Sequence, residues 1–177
     1  MSIGFLRKVG IAQMMFAGLA ACGGSDQLPP DASISISPND KTFNVDTLEN
    51  PDNGQCFFLE GLYQDVLVVI TVRDGKGRPI GEADLTVMVD FTDNTSSFGK
   101  IIRLYEDRDG DLLADEDELV SGENAPLLRT RTREFSGTTE VILRMNLSCE
   151  YRASMTVQSE AAVGSASFAV VKNPDQQ

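Results

Sequence analysis

Apolar residues recur at every second position of residues 84–91, and this alternation limits the fold of the chain more than any other feature. The residues that share the apolar face are Leu85, Val87, Val89 and Phe91. A period of two is typical of a β-strand with one buried face. Residues 66–72 form an apolar run in which β-branched side chains dominate, and these favour a strand over a helix. Because Asp74, two glycines and Pro79 favour a turn between them, we predict two core strands joined by a turn.

Shorter alternating segments follow along the rest of the chain. Residues 33–37 form a predicted edge strand that ends at Pro38, and Phe43 and Val45 are predicted to continue it after a turn. The other predicted strands are residues 101–105, 139–145, 149–157 and 166–170, with weaker signals at 119–120 and 127–132. About nine short strands and no convincing helix after the first 22 residues predict an all-β protein with an antiparallel β-sandwich.

The amino-terminal segment has the pattern of an export signal. Arg7 and Lys8 form a positive region, and residues 9–19 form an apolar segment too short to span a bilayer. The tetrapeptide Leu19-Ala20-Ala21-Cys22 resembles the lipobox of bacterial lipoproteins. The resemblance implies cleavage before Cys22 and lipidation of that cysteine, and the glycine that follows implies sorting to the outer membrane of a Gram-negative cell envelope. The alternative is an ordinary signal peptide with a chance cysteine.

The pattern divides the chain into four parts. We predict a lipoprotein signal peptide at residues 1–21 and a flexible tether at 22–31, where glycine, serine and proline occur without hydrophobic periodicity. The β-sandwich is predicted at residues 32–172 with an acidic loop inserted at 106–118, and a polar tail follows at 173–177.

Two cysteines remain once Cys22 is lipidated. Because exported proteins meet oxidising conditions, we predict a disulfide bond between Cys56 and Cys149, and two separate buried thiols are the alternative. Residues 56–59 and Tyr63 form an apolar cluster that we predict to cover one end of the sandwich. If it were exposed, the cluster would instead be a binding patch.

Three segments carry a resemblance to a known family of domains. They are VITVRDGKGRPIGEADLTVMV at residues 69–89, GTTEVILRM at 137–145, and YRASMTVQS followed by SASFAVV between residues 151 and 171. Together they resemble the bacterial immunoglobulin-like domains of the invasin and intimin type over residues 65–172. The resemblance implies an immunoglobulin-like β-sandwich that acts as a spacer or an adhesive tip.

The acidic loop has the spacing of a calcium ligand set. Numbered from Asp107, carboxylates stand at positions 1, 3, 5, 9 and 12, and a backbone carbonyl at position 7 would complete the set. The predicted Ca2+ ligands are Asp107, Asp109, Asp111, Leu113, Asp115 and Glu118. The pattern resembles EF-hand loops and the acidic repeats of thrombospondin type 3. It departs from them at position 6, where Leu112 replaces the expected glycine, and a solvated acidic turn is the alternative.

Charge and composition restrict the function. The formal net charge of -12 disfavours nucleic acid as a partner, and the absence of histidine removes the commonest general base. We therefore predict a non-enzymatic, lipid-anchored module of the cell envelope for binding, adhesion or structural support, with an envelope or surface protein or a glycan as its partner. One alternative is an accessory subunit of an envelope or secretion assembly. Another is a carboxylate-based hydrolase, which needs two opposed carboxyl groups.

Overall fold

The computed structural model describes residues 28–46, 61–92, 102–120, 127–160 and 162–173. These residues form nine β-strands and one short 3-10 helix. The strands are β1 (Ser33–Ser37), β2 (Asp40–Val45), β3 (Tyr63–Arg73), β4 (Asp84–Phe91), β5 (Ile102–Glu106), β6 (Leu127–Arg131), β7 (Thr138–Asn146), β8 (Tyr151–Ser159) and β9 (Ala162–Lys172). The helix, η1 (Glu116–Glu118), lies between β5 and β6.

The strands form two sheets. One has the order β1-β3-β7-β5, and the other has the order β2-β9-β8-β4-β6. Immunoglobulin-like domains place their first, second, fifth and fourth strands in one sheet and their third, sixth and seventh strands in the other. β1, β3, β7 and β5 match the first group, and β4, β8 and β9 match the second, with β2 and β6 added at its edges. The chain is therefore an immunoglobulin-like β-sandwich, as the sequence predicted.

Inward-facing apolar side chains of both sheets form the core. On β4, Leu85, Val87 and Val89 are buried, which confirms the predicted face of this strand. On β3, Val68 and Ile70 are fully buried, whereas Val69 between them faces outward and is partly accessible. The two segments that dominate the sequence pattern are thus inner strands of the two sheets.

Tyr151 fixes the connection between β7 and β8. Its ring is buried, and its hydroxyl donates a hydrogen bond of 3.0 Å to the backbone oxygen of Asn146. Burial raises the pKa of Tyr151, which keeps the hydroxyl in its donating form. A tyrosine at this corner that binds the backbone a few residues upstream is typical of immunoglobulin-like domains. The bond therefore supports the fold independently of the strand order.

The prediction that Phe43 and Val45 continue the first strand was wrong. β1 pairs with β3 in one sheet, whereas β2 joins the other sheet and pairs with β9 in parallel. Pro38 interrupts the chain between them because it has no amide hydrogen to donate to a sheet. The sandwich is consequently antiparallel except at this one pair of the described strands. Alternation indicates which face of a strand is buried, but it does not indicate which sheet the strand joins.

The carboxyl-terminal part of the predicted tether belongs to the sandwich. Leu28 is buried in the core, and the side chain of Asp31 lies against Gly75. A single leucine between polar residues and prolines has no periodicity, so the sequence pattern contained no signal for this contact. The rest of the predicted tether, including Cys22, lies outside the described residues.

The predicted cover of one end of the sandwich is only partly described. Tyr63, which we expected to be buried, is 36% exposed, and its ring lies 4.3 Å from the guanidinium carbon of Arg144. Asp65 binds that guanidinium with two hydrogen bonds of 2.8 Å, and these bonds raise the pKa of Arg144. Tyr63 is therefore held by a cation on the outer face of the sheet. Residues 56–59 lie outside the described residues.

One end of the sandwich, which we call the turn end, gathers most of the described connections. β1 begins there opposite the end of β3, and β7 begins beside the same end of β3. The β3–β4 turn, the β6–β7 turn and the β8–β9 turn all lie there. Their close contact is shown by Gly81, which faces the backbone of Glu134, and by Gly137, which faces Ile80. The acidic loop reaches the same end, because Gly110 lies beside the guanidinium of Arg133.

Candidate metal centre

The acidic loop is closed at its base on the outer edge of β5. It leaves β5 at Asp107 and returns through η1 to Leu119, which forms an antiparallel bridge with Tyr105. The next amide, that of Val120, donates a hydrogen bond of 2.8 Å to the backbone oxygen of Leu104. This closure brings the two ends of the loop, Asp107 and Glu118, next to each other.

Aspartate side chains curl the backbone of the loop. Asp107 Oδ1 accepts the amide hydrogen of Gly110 at 2.8 Å, and Asp109 Oδ1 accepts that of Asp111 at 3.1 Å. Asp111 Oδ1 in turn accepts the amide hydrogen of Leu113 at 2.8 Å. Such local bonds favour turns over regular structure. They occupy one oxygen of each carboxylate and leave the other oxygen outside these bonds.

The five predicted carboxylate ligands come together in two overlapping groups. Asp107, Asp109 and Glu118 each offer an oxygen, and these oxygens all lie within 4.8 Å of one another. Asp109, Asp111 and Asp115 form a second group by the same measure, so Asp109 belongs to both. The first group is mostly buried, whereas the second is exposed. Close carboxylates repel each other, and a bound cation would neutralise them.

The buried group contains two oxygens without a donor. Asp107 is 6% exposed and Glu118 is 4% exposed. Glu118 Oε1 accepts the amide hydrogen of Arg108, but Glu118 Oε2 and Asp107 Oδ2 are buried without a hydrogen-bond partner among the described residues. Burying a charged oxygen without a partner is costly. Ca2+ coordinates carboxylate oxygens and fits this donor set.

At position 6, the loop has the backbone conformation expected of a calcium-binding loop, although the residue there is Leu112 and not glycine. Leu112 has φ of 65°, the left-handed conformation that the expected glycine adopts without cost. Gly110 is also left-handed, with φ of 81°. A non-glycine residue held in this region stores strain that the surrounding structure must enforce. The leucine at position 6 therefore adds strain to the turn but leaves the course of its backbone unchanged.

The structure describes only some of the remaining predicted site residues. The side chain of Leu113 is exposed, and the role of its carbonyl stays a prediction. Cys149 is buried and disulfide-bonded. Its pairing with Cys56 stays a prediction, because Cys56 lies outside the described residues, as does Cys22.

Sequence reasoning missed the role of Arg108, the cation inside the acidic run. Its guanidinium binds Glu106 at 3.0 Å and the backbone oxygen of Asp117 at 3.2 Å, so it joins the two arms of the loop. Its amide also binds Glu118, as described above. The signal in the sequence is a lone arginine between acids, which alone does not distinguish a brace from a solvated charge.

No protein-family model matches the chain, and no curated protein matches it. Among solved structures, it is similar to a conjugative transposon lipoprotein from Bacteroides eggerthii, with 9% identity, a TM-score of 0.39, and coverage of 79% of this chain and 96% of that one. A PapD-like domain of human CEP192 has 10% identity, a TM-score of 0.35, and coverage of 98% and 96%. WR4, a C. elegans MSP family member, has 8% identity, a TM-score of 0.37, and coverage of 79% and 97%. All three TM-scores are below 0.5.

Within the described part of the chain, no helix has the length and apolar character needed to cross a membrane.

Proposed function

We propose that the chain is a lipid-anchored, non-enzymatic module of the bacterial cell envelope whose immunoglobulin-like sandwich is stabilised by Ca2+ in the acidic loop. The observation that carries the metal proposal is the pair of buried, unpartnered oxygens, Asp107 Oδ2 and Glu118 Oε2, within one group of carboxylates. A cation bound there would satisfy both oxygens at once. It would also join the first and last residues of the loop.

Thermal unfolding with and without Ca2+ tests the metal site. At a Ca2+ concentration about 100 times the Kd, binding adds about 2.7 kcal/mol to the free energy of unfolding. For a domain of this size, that gain raises the Tm by roughly 5 to 10 °C. The double variant D107N/E118Q should lose the rise, because amides keep the shape of the side chains and remove their charge. A Tm that is unchanged at millimolar Ca2+ would contradict the proposal.

Asp90 offers a matched control for this experiment. It is an exposed carboxylate on the outer face of β4, away from the acidic loop. The D90N variant should keep the full response to Ca2+. If D90N lost the response as D107N/E118Q does, the effect of Ca2+ would be a general screening of the negative charge and not binding at the loop.

The anchor is supported by the amino-terminal sequence. A positive region, an apolar segment and Leu19-Ala20-Ala21-Cys22 stand in the order of a lipoprotein signal. Each buried methylene of an acyl chain contributes about 0.8 kcal/mol, so two or more chains hold a protein stably on a membrane. Mass spectrometry of the mature amino terminus should find a lipid on Cys22. The C22S variant should leave the membrane fraction, and an unmodified Cys22 in the mature chain would contradict the anchor.

The partner of the module is an envelope or surface protein or a glycan in this proposal. Mild crosslinking in cells followed by mass spectrometry separates the roles that we consider. One stoichiometric envelope partner would favour an accessory subunit of an assembly. Binding only to foreign cells or glycans would favour an adhesin. Turnover of a glycosidic substrate would contradict the non-enzymatic role.

A further inference from the structure

The most exposed large apolar side chains of the described residues all lie at the turn end. They are Leu112 and Leu113 in the acidic loop, Phe135 in the β6–β7 turn, and Val163 beside the β8–β9 turn. Phe135 is 86% exposed, and all four are more than half exposed. The other exposed large apolar residues are each less than half exposed. Each of these side chains would gain free energy by leaving water for an apolar phase that met the turn end.

The chain enters the sandwich at the same end. Residues 28–32 lead into β1 beside the β3–β4 turn, with Asp31 against Gly75. Six residue steps separate Cys22 from Leu28, so even a fully extended chain spans at most about 22 Å. The far end of β3 lies about 33 Å beyond the turn end, since an 11-residue strand rises about 3.3 Å per residue. A lipid on Cys22 therefore holds the turn end, and not the far end, next to the membrane.

The charge of the turn end requires a cation for such a contact. Asp109, Asp111 and Asp115 are exposed in the acidic loop and would repel the phosphates of a phospholipid surface. Ca2+ bound in the loop reduces this negative charge and can itself accept phosphate oxygens as ligands. Lys76 in the β3–β4 turn is an exposed cation at the same end, whereas the guanidinium of Arg78 in that turn is paired with Asp74. The apolar side chains, the bound ion and Lys76 are the features of the turn end that would contact a phospholipid headgroup layer.

We propose that the turn end docks in a Ca2+-dependent manner on the phospholipid surface of the membrane that carries the anchor, with Phe135 and the neighbouring apolar side chains inserted among the headgroups. This inference rests on the proposed lipid anchor and metal site. It gives the acidic loop a task beyond stability, because the ion sets the orientation of the sandwich. The far end of the sandwich, with Tyr63 and Leu62, then points away from the membrane.

A single tryptophan can report this contact because the chain contains none. In the F135W variant of the mature chain, the probe replaces a side chain that is almost fully exposed, so the fold is preserved. L62W is the matched control at the far end of the sandwich, where Leu62 is 38% exposed. Each variant is coupled through Cys22 to maleimide lipid in vesicles of phosphatidylcholine and phosphatidylglycerol, with and without brominated acyl chains.

In Ca2+, the emission of F135W should shift to the blue and lose intensity on brominated vesicles, and EGTA should reverse both changes. L62W should show neither change. Emission of F135W that stays unshifted and unquenched would overturn the proposal, and a partner protein would then be the better occupant of the turn end. Quenching that EGTA does not reverse, or quenching of both variants alike, would also overturn it.

The coupling chemistry separates this test from the tests of the proposed function. Maleimide lipid replaces the natural anchor, so the outcome does not depend on lipidation in the cell. If the Tm of the soluble chain rises with Ca2+ but F135W is not quenched, docking fails and the metal site stands. If the Tm does not respond to Ca2+, the metal site fails, and the Ca2+-dependent docking fails with it.

Discussion

At the scale of single residues, Leu112 is the strained position of the acidic loop. A left-handed conformation costs a non-glycine residue about 1 to 2 kcal/mol. Glycine avoids this cost but lowers stability by about 0.5 to 1 kcal/mol, because it has more conformational entropy to lose on folding. Because Leu112 is about half exposed, its side chain loses little burial when it is removed. We therefore expect L112G to raise the free energy of unfolding by about 0.5 to 1 kcal/mol, as measured by urea denaturation.

Leu113 provides the control for this prediction. It is equally exposed but does not have a positive φ, so L113G should destabilise the protein. A loss of stability in L112G of the same size as that in L113G would show that position 112 is not strained.

The identity of the candidate metal ligands could be predicted from the sequence, but their burial and the backbone conformation around them could not. The spacing of the five carboxylates is local in the sequence, and the structure brings these side chains together. The burial of Asp107 and Glu118 depends on the return of the chain to the edge of β5, a contact that no local pattern encodes. The left-handed Leu112 could not be predicted either, since leucine rarely adopts that conformation.

At the scale of structural elements, the returning arm of the acidic loop covers the edge of β5. Val120 donates its amide hydrogen to Leu104, and Glu118 lies two residues before it in the buried carboxylate group. An ion that joins Asp107 to Glu118 would hold this arm in place. We expect amide hydrogen exchange at Val120 to become slower in Ca2+ than in EGTA. The amide of Leu147, which binds Leu62 at the far end, should not respond.

The D107N/E118Q variant tests the cause of this protection. Its Val120 amide should exchange at the same rate with and without Ca2+, because the ion has lost its two buried ligands. If Val120 were still protected by Ca2+ in this variant, the arm would be held through another site.

The β3–β4 turn gives a prediction about pH. Asp74 accepts hydrogen bonds from the amides of Arg78 and Lys76 and from the guanidinium of Arg78. The bonds from Arg78 lower the pKa of Asp74 below its ordinary value of 3.8. A carboxylate whose pKa is lower in the folded state than in the unfolded state stabilises the fold when the pH is above its unfolded-state pKa. This stabilisation is lost as the pH falls through its folded-state pKa. The Tm difference between the parent and D74N should therefore be constant at neutral pH and shrink below pH 3.8.

D90N again provides the comparison for this prediction, because no bond of the turn involves Asp90. The D90N variant and the parent should have similar Tm values at neutral pH, because Asp90 is exposed and lies outside the turn. A D74N difference that persisted in acid would mean that the turn does not depend on the charge of Asp74.

The positions of the strands could be predicted from the sequence better than their pairing. Strands with one buried face, such as β4 and β8, were predictable because burial imposes a period of two on the residues. The parallel pairing of β2 with β9 was not, because it depends on contacts between residues far apart in the chain. The burial of Leu28 was missed for the same reason.

At the scale of the whole molecule, the predicted disulfide bond closes most of the sandwich into one loop. Cys149 is disulfide-bonded and buried beside the β7–β8 connection. If Cys56 is its partner, the bond closes a loop of about 90 residues, which stabilises by roughly 4 to 5 kcal/mol in the chain-entropy model. We expect C56S and C149S each to lower the free energy of unfolding by an amount of that order.

The double variant C56S/C149S decides whether the two cysteines act as one unit. Removing either partner breaks the same bond, so the double variant should lose little more stability than each single variant, and the two effects should not add. Additive losses would instead show that Cys56 and Cys149 do not share one bond. If C149S were destabilising and C56S neutral, the partner of Cys149 would not be Cys56, and Cys22 would lose its free thiol for the lipid.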